Sequence, residues 1–190
     1  MCGLMWGFPP RIIALAVDHM GPTRALVWFA TNMPRYLVTT AVLGPVRVHL
    51  ACVVAALRNG CAYCAYANVY ALELIYFRER GRLFPWDAAA LDSWLHLDPR
   101  TMRQRLHGVL VEAGLHNEAM WADRILALAD GSQQPVDAAE ARLAHILGMA
   151  TTMSQIAVAG GAVPDQAHDP VNKNAEIKSQ HAALRAASSI

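Results

Sequence analysis

The sequence predicts an all-α chain, and three observations carry that prediction. Apolar residues recur at three- and four-residue spacing along most of the chain, the period of a helix with one buried face. Runs of strict apolar–polar alternation bounded by turn residues, which would mark strands, are missing. Glycine, proline and asparagine fall between the apolar segments, at Gly21-Pro22, Gly44-Pro45, Asn59-Gly60, Gly81, Asp98-Pro99, Gly114 and Gly160-Gly161, where helices end and begin.

Taken in order, residues 12–20 form a first short helix, closed by Gly21-Pro22. Thr23 caps a second helix to about Met33, where Pro34 breaks it; residues 35–42 continue beyond the break. Residues 46–58 form the next helix and end at Asn59-Gly60, residues that tolerate positive φ. Residues 61–80 follow, apolar on nearly every side, which marks a helix at the centre of the fold. Pro85-Trp86-Asp87 opens a helix to about Leu97. Asp98-Pro99 places an N-cap before a proline at the first helical position, for a helix to about Ala113. Asn117 caps residues 118–129, and Asp137 with Glu140 forms a capping box heading a helix to about Ala159.

Beyond Pro164 the composition turns polar and small, so residues 1–163 read as one helical domain and 164–190 as a weakly ordered or peripheral tail, with an outer helix at 173–187.

Composition narrows the function. A formal charge of +1 gives no electrostatic reason to expect nucleic acid. The hydrophobic fraction of 55% points to a membrane span or to apolar surface covered by self-association. The most apolar windows, 37–57 and 62–77, are interrupted by Pro45, Arg47 and His49 in one and are short, with Glu73, in the other. No membrane span is therefore expected, and a homo-oligomer is. The first residues lack the basic region and small-residue cleavage site of a signal peptide, so a cytoplasmic protein is the simplest expectation.

Chemistry concentrates at Cys61 and Cys64, a Cys-x-x-Cys pair directly behind Asn59-Gly60 in the first turn of a helix. The unpaired amides there favour negative charge, so a thiol can fall from about 8.5 towards roughly 3.5–7.5 in pKa and become nucleophilic. Such a dithiol can attack a peroxide or a disulfide with one sulfur and close onto the other. The competing readings are inert core cysteines and metal ligands. Zinc would need two more ligands, and no second Cys-x-x-Cys or close histidine pair supplies them. Ala65 stands where a c-type haem motif needs histidine. No metal and no cofactor is expected. Cys52 reads as a buried inert thiol. Glu73 reads as an ion-pair partner across a subunit contact, or as a proton acceptor. Trp6, Trp28, Trp86, Trp94 and Trp121 are expected in the core, at an interface or along a ligand pocket.

The series Asn59-Gly60-Cys61-Ala62-Tyr63-Cys64, ahead of a long apolar helix, resembles the carboxymuconolactone decarboxylase-like superfamily, and within it the alkylhydroperoxidase D (AhpD-like) branch, over residues 46–80. The signature of that branch is a glutamate, eleven residues, a cysteine, two residues, a cysteine, three residues and a histidine, in an all-helical fold that assembles as trimers or hexamers. Cys61 and Cys64 match both cysteines, while His49 occupies the glutamate position and Asn68 the histidine position.

The resemblance implies that Cys64 attacks the peroxide and Cys61 resolves it, with a small organic hydroperoxide as substrate and a thiol reductant or redox protein as partner. It also casts His49 as the base, from the preceding helix, and Asn68 as a group that holds a water or a sulfenic acid; Tyr63 and Tyr66 are further hydrogen-bond donors. The alternative is a non-catalytic or redox-sensing relative that serves oligomerisation or partner binding.

Overall fold

The computed structural model describes residues 6–188, whose regular structure is entirely helical; Cys2 lies outside the described residues. In order, the helices are α1 (Arg11–Met20), α2 (Pro22–Leu43), α3 (Pro45–Arg58), α4 (Ala62–Arg80), α5 (Pro99–Glu112), α6 (His116–Asp130), α7 (Ala138–Ala159) and α8 (Ala175–Ser188), with short 3-10 turns at Ala88–Ser93 and Pro170–Lys173. No helix among them is long and apolar enough to cross a membrane.

Helix α4 is the axis, as its all-round apolar sequence predicts. It packs against α3, α7, α8 and both 3-10 turns and is buried on every turn until Arg78. Its partner α3 buries every position from Val48 to Leu57 except Cys52. The α3–α4 junction is a tight turn in which Asn59 closes α3 and Gly60, at φ +63°, turns the chain back. Outer helices are tied on by charge as well as by apolar contact. Arg47 of α3 grips Glu118 of α6 through two hydrogen bonds of 2.8 and 3.0 Å, and its guanidinium lies over the Trp121 ring. Arg124 of α6 forms a similar fork with Glu140 of α7.

The caps at Asp98 and Asp137 form as the sequence predicts: Asp98 accepts from the N–H groups of Arg100 and Thr101, and Asp137 from that of Glu140. Four boundaries differ. Helix α2 starts at Pro22 behind Gly21, so Thr23 lies inside it and does not cap it. Helix α2 runs unbroken through Pro34, because Ala25, Met33 and Thr39 carry one buried stripe across the proline, which offsets the lost hydrogen bond. The helix expected to reach Leu97 is only the 3-10 turn Ala88–Ser93: the Ala88 N–H is taken by Glu73 of α4, and Trp86 stacks on Trp94 at 4.0 Å. Helix α6 starts at His116, so Asn117 lies inside it and the preceding Leu115 provides no side-chain cap.

The C-terminal segment departs most from its compositional reading. Ala167 and Val171 pack against Ala71, Leu74 and Ile75 of α4, Asp169 and Asn172 are buried, and α8 covers the far end of α4. Polar residues bury here because each finds a partner on another element, which composition alone does not show.

Candidate dithiol site

Cys61 is the N-cap of α4, and its sulfur accepts a hydrogen bond from the Cys64 backbone N–H at 3.2 Å. Side-chain acceptors are common at this position because the first helical amides have no partner of their own. A thiolate fills the role better than a thiol. The two thiols act on each other: hydrogen bonding from Cys64 holds Cys61 below its ordinary pKa even though burial opposes it, and Cys64 is raised in turn. Both thiols are free. Ser154 of α7 is fully buried, and its hydroxyl, without a hydrogen-bond partner among the described residues, lies close enough to both sulfurs to favour their thiolate forms.

Accessibility divides the pair the other way. A cavity of about 100 Å³ opens above the first turn of α4, with Cys64 on its wall and Cys61 behind. Cys64 is 8% exposed and Cys61 1%. Trp28, Phe29 and Met33 of α2 with Ile146, Met149 and Met153 of α7 make most of the cavity apolar. Cys52 also reaches it, half-buried rather than sealed in the core, with burial pushing its thiol up to about 12. That thiol is inert near neutral pH.

The structure brings His49 and Asn68 together. His49 is completely buried in α3, its Nδ1 2.8 Å from Asn68 Oδ1 and its Nε2 3.1 Å from Asp169 Oδ2. The Asn68 Nδ2 donates to the Cys64 carbonyl at 2.8 Å, which fixes the amide so that its oxygen faces His49. Both imidazole nitrogens therefore face oxygen atoms, one of the Asn68 amide and one of the Asp169 carboxylate. His49 is not on the cavity wall; it is joined to the Cys64 turn through Asn68, which is on that wall. Asp169 is pushed up by burial, but the hydrogen bond and charge of His49 outweigh this and hold its carboxyl below the usual range.

A second polar group stands on the cavity wall. The Tyr63 hydroxyl lies 3.0 Å from Asp165 Oδ2 and 3.1 Å from His168 Nε2, and His168 is stacked on Trp6 with ring centroids 5.2 Å apart. Tyr63 and His168 line the cavity with Cys64. Burial raises the Tyr63 hydroxyl above its ordinary value, and the Asp165 charge adds to that.

The structure gathers Cys61, Cys64, His49, Asn68 and Tyr63, all singled out from the sequence, with Ser154, Asp165, His168 and Asp169, which were not. Two carboxylates and a histidine within five positions of a helix-poor stretch were the available signal. Tyr66 lies beside Tyr70 on α4, off the cavity wall. Glu73 finds its cation inside the chain, in Arg185 of α8, instead of across a subunit contact. Trp6 and Trp28 line the cavity, Trp86 and Trp94 pack the core, and Trp121 lies beneath Arg47. No family model, curated protein or solved structure matches this chain.

Proposed function

We propose that this chain is an AhpD-like thiol-dependent oxidoreductase that reduces organic hydroperoxides through Cys64 and Cys61. One observation carries the reading: of two thiols in the first turn of a helix, one lies on the wall of an apolar cavity and the other is sealed away from it. An apolar wall favours an alkyl or aryl hydroperoxide over hydrogen peroxide. The positions that the AhpD-like resemblance assigns to a proton relay, His49 and Asn68, support the reading further, because they are hydrogen-bonded to each other and onward to the Cys64 turn.

In the reaction, the Cys64 proton passes to a Cys61 thiolate, and the Cys64 sulfur attacks the terminal peroxide oxygen. The S–O bond forms, the O–O bond breaks, and the alkoxide leaves and is protonated to the alcohol. Cys61 then attacks the sulfur of the Cys64 sulfenic acid. The disulfide closes, and the departing hydroxyl takes the Cys61 proton and leaves as water. The backbone N–H of Cys64 and the Ser154 hydroxyl steady the negative charge at the sulfurs. An external thiol reductant or redox protein returns the disulfide to the dithiol, in a cytoplasmic homo-oligomer.

A second reading, a redox-sensing or non-catalytic relative serving partner binding, draws on Asn68, which has no proton to transfer. Mass spectrometry of the reduced protein before and after brief exposure to stoichiometric cumene hydroperoxide separates the two. Rapid formation of a Cys61–Cys64 disulfide, abolished in Cys64→Ser, is the expected result. Thiols left unmodified would defeat the peroxidase reading and favour the second.

A further inference from the structure

The geometry points to Tyr63, His168 and Asp165 as the proton donor for the oxygen that leaves when Cys64 is oxidised. The inference rests on the peroxidase reading. An alkoxide is a poor leaving group, so a proton delivered as the O–O bond breaks lowers the barrier. Asn68 cannot supply one. His49 is fully buried, off the cavity wall, with both ring nitrogens engaged by Asn68 and Asp169. Tyr36 and Cys52 reach the cavity, but among the described residues neither is hydrogen-bonded to a titratable side chain that could replace a proton it lost.

Tyr63 and His168 differ on both counts. Both share the cavity wall with Cys64, and they lie 3.1 Å apart through the Tyr63 hydroxyl and His168 Nε2. The backbone N–H of Ile12, at 3.4 Å, also faces the Tyr63 oxygen and helps to hold it. Asp165 approaches both members, through Oδ2 to the Tyr63 hydroxyl at 3.0 Å and Oδ1 to His168 Nε2 at 3.5 Å. Its own position is fixed by the backbone N–H groups of Gln166 and Arg11. Trp6 stacked on the imidazole holds the ring in register.

At rest the Tyr63 O–H donates to Asp165 Oδ2; in the step it turns to the leaving alkoxide oxygen and gives it that proton, making the alcohol. His168 passes its Nε2 proton to the Tyr63 oxygen and takes one from solvent at Nδ1, so the phenol, the imidazole and the carboxylate end with the protons they began with. Asp165 is a positioning residue here; it orients the phenol and the imidazole.

A proton donor to the leaving group leaves a kinetic signature that a purely structural residue does not. Cumene hydroperoxide departs as a basic alkoxide and needs the proton, whereas peracetic acid departs as acetate and does not. In single-turnover oxidation of the reduced protein, followed as Cys61–Cys64 disulfide, His168→Gln and Tyr63→Phe are expected to slow cumene hydroperoxide roughly a hundredfold and to leave peracetic acid near the wild-type rate. Equal slowing with both oxidants, or no slowing with either, overturns the inference while the peroxidase reading stands. If wild-type Cys64 reacts with neither oxidant, that reading fails and the inference with it. Should neither variant fold, the wild-type protein decides: a shallow dependence of rate on leaving-group acidity across substituted alkyl hydroperoxides supports the donor, and a steep one overturns it.

Discussion

Asp169 shows how one residue ties chemistry to stability. It lies 120 positions from His49 in sequence yet supplies the carboxylate opposite a fully buried imidazole, and it also accepts the Val171 N–H at 2.8 Å. Truncation in Asp169→Ala strands both donors in an apolar setting. The expected loss is about 1–3 kcal/mol for each buried donor left unsatisfied. Acid should act on the same contact. The folded pKa of Asp169 is depressed relative to an ordinary carboxylate near 3.9, so its contribution is fully present above about pH 4 and is lost as pH falls through the depressed folded value. Urea titrations between pH 7 and pH 3 should show wild-type stability falling at the acid end, with Asp169→Ala weaker throughout and its acid limb flatter. Parallel pH curves for the two proteins would contradict this. The dithiol was legible in the sequence because its chemistry is local, with two sulfurs on one helical turn. Asp165, His168 and Asp169 were not, because each acquires its meaning from a partner more than a hundred positions away, except where Asp165 meets His168 itself.

At the scale of elements, one buried carboxylate helps to hold α8 in place. Glu73 of α4 accepts the Ala88 N–H, forms an ion pair with Arg185 and lies 3.6 Å from His181, so it joins α4, the Ala88–Ser93 turn and α8. Glu73→Ala removes the acceptor common to all three. A loss of about 3 kcal/mol is expected, together with faster proteolysis between α7 and α8 and faster alkylation of Cys64, since His168 in the segment before α8 lines its cavity. Unchanged cleavage and alkylation would mean that apolar contacts from Ala167 and Val171 hold the segment without Glu73. The helix order was largely readable, since Gly44-Pro45, Asn59-Gly60 and Asp98-Pro99 act through their own backbone chemistry. Where the reading failed, at Pro34 and at residues 88–97, packing against another element outweighed local preference.

For the whole molecule, the unexplained property is where the apolar surface lies. Leu26, Val27, Leu37, Val38 and Val42 are all exposed on α2, Leu26 at 70% and Val42 at 60%. Leu26 and Leu37, like Val27 and Val38, are eleven positions apart, about three helical turns, so they repeat on one face. The opposite face of α2 closes the cavity with Trp28, Phe29 and Met33. An apolar stripe of this length left in water favours association, and the same helix would then link assembly to the cavity wall. Light scattering on the purified chain should give a mass that is a multiple of 20.7 kDa. Val27→Glu combined with Val38→Glu should return it to the monomer, because like charges on a self-contacting face are buried at several kcal/mol per ion. Circular dichroism of the double variant should keep its helical signal, since both side chains already face solvent. A monomeric wild-type protein would remove self-association as the reason for the stripe. A dissociated variant whose Cys64 oxidises more slowly would show that α2 needs its neighbour to hold the cavity in shape.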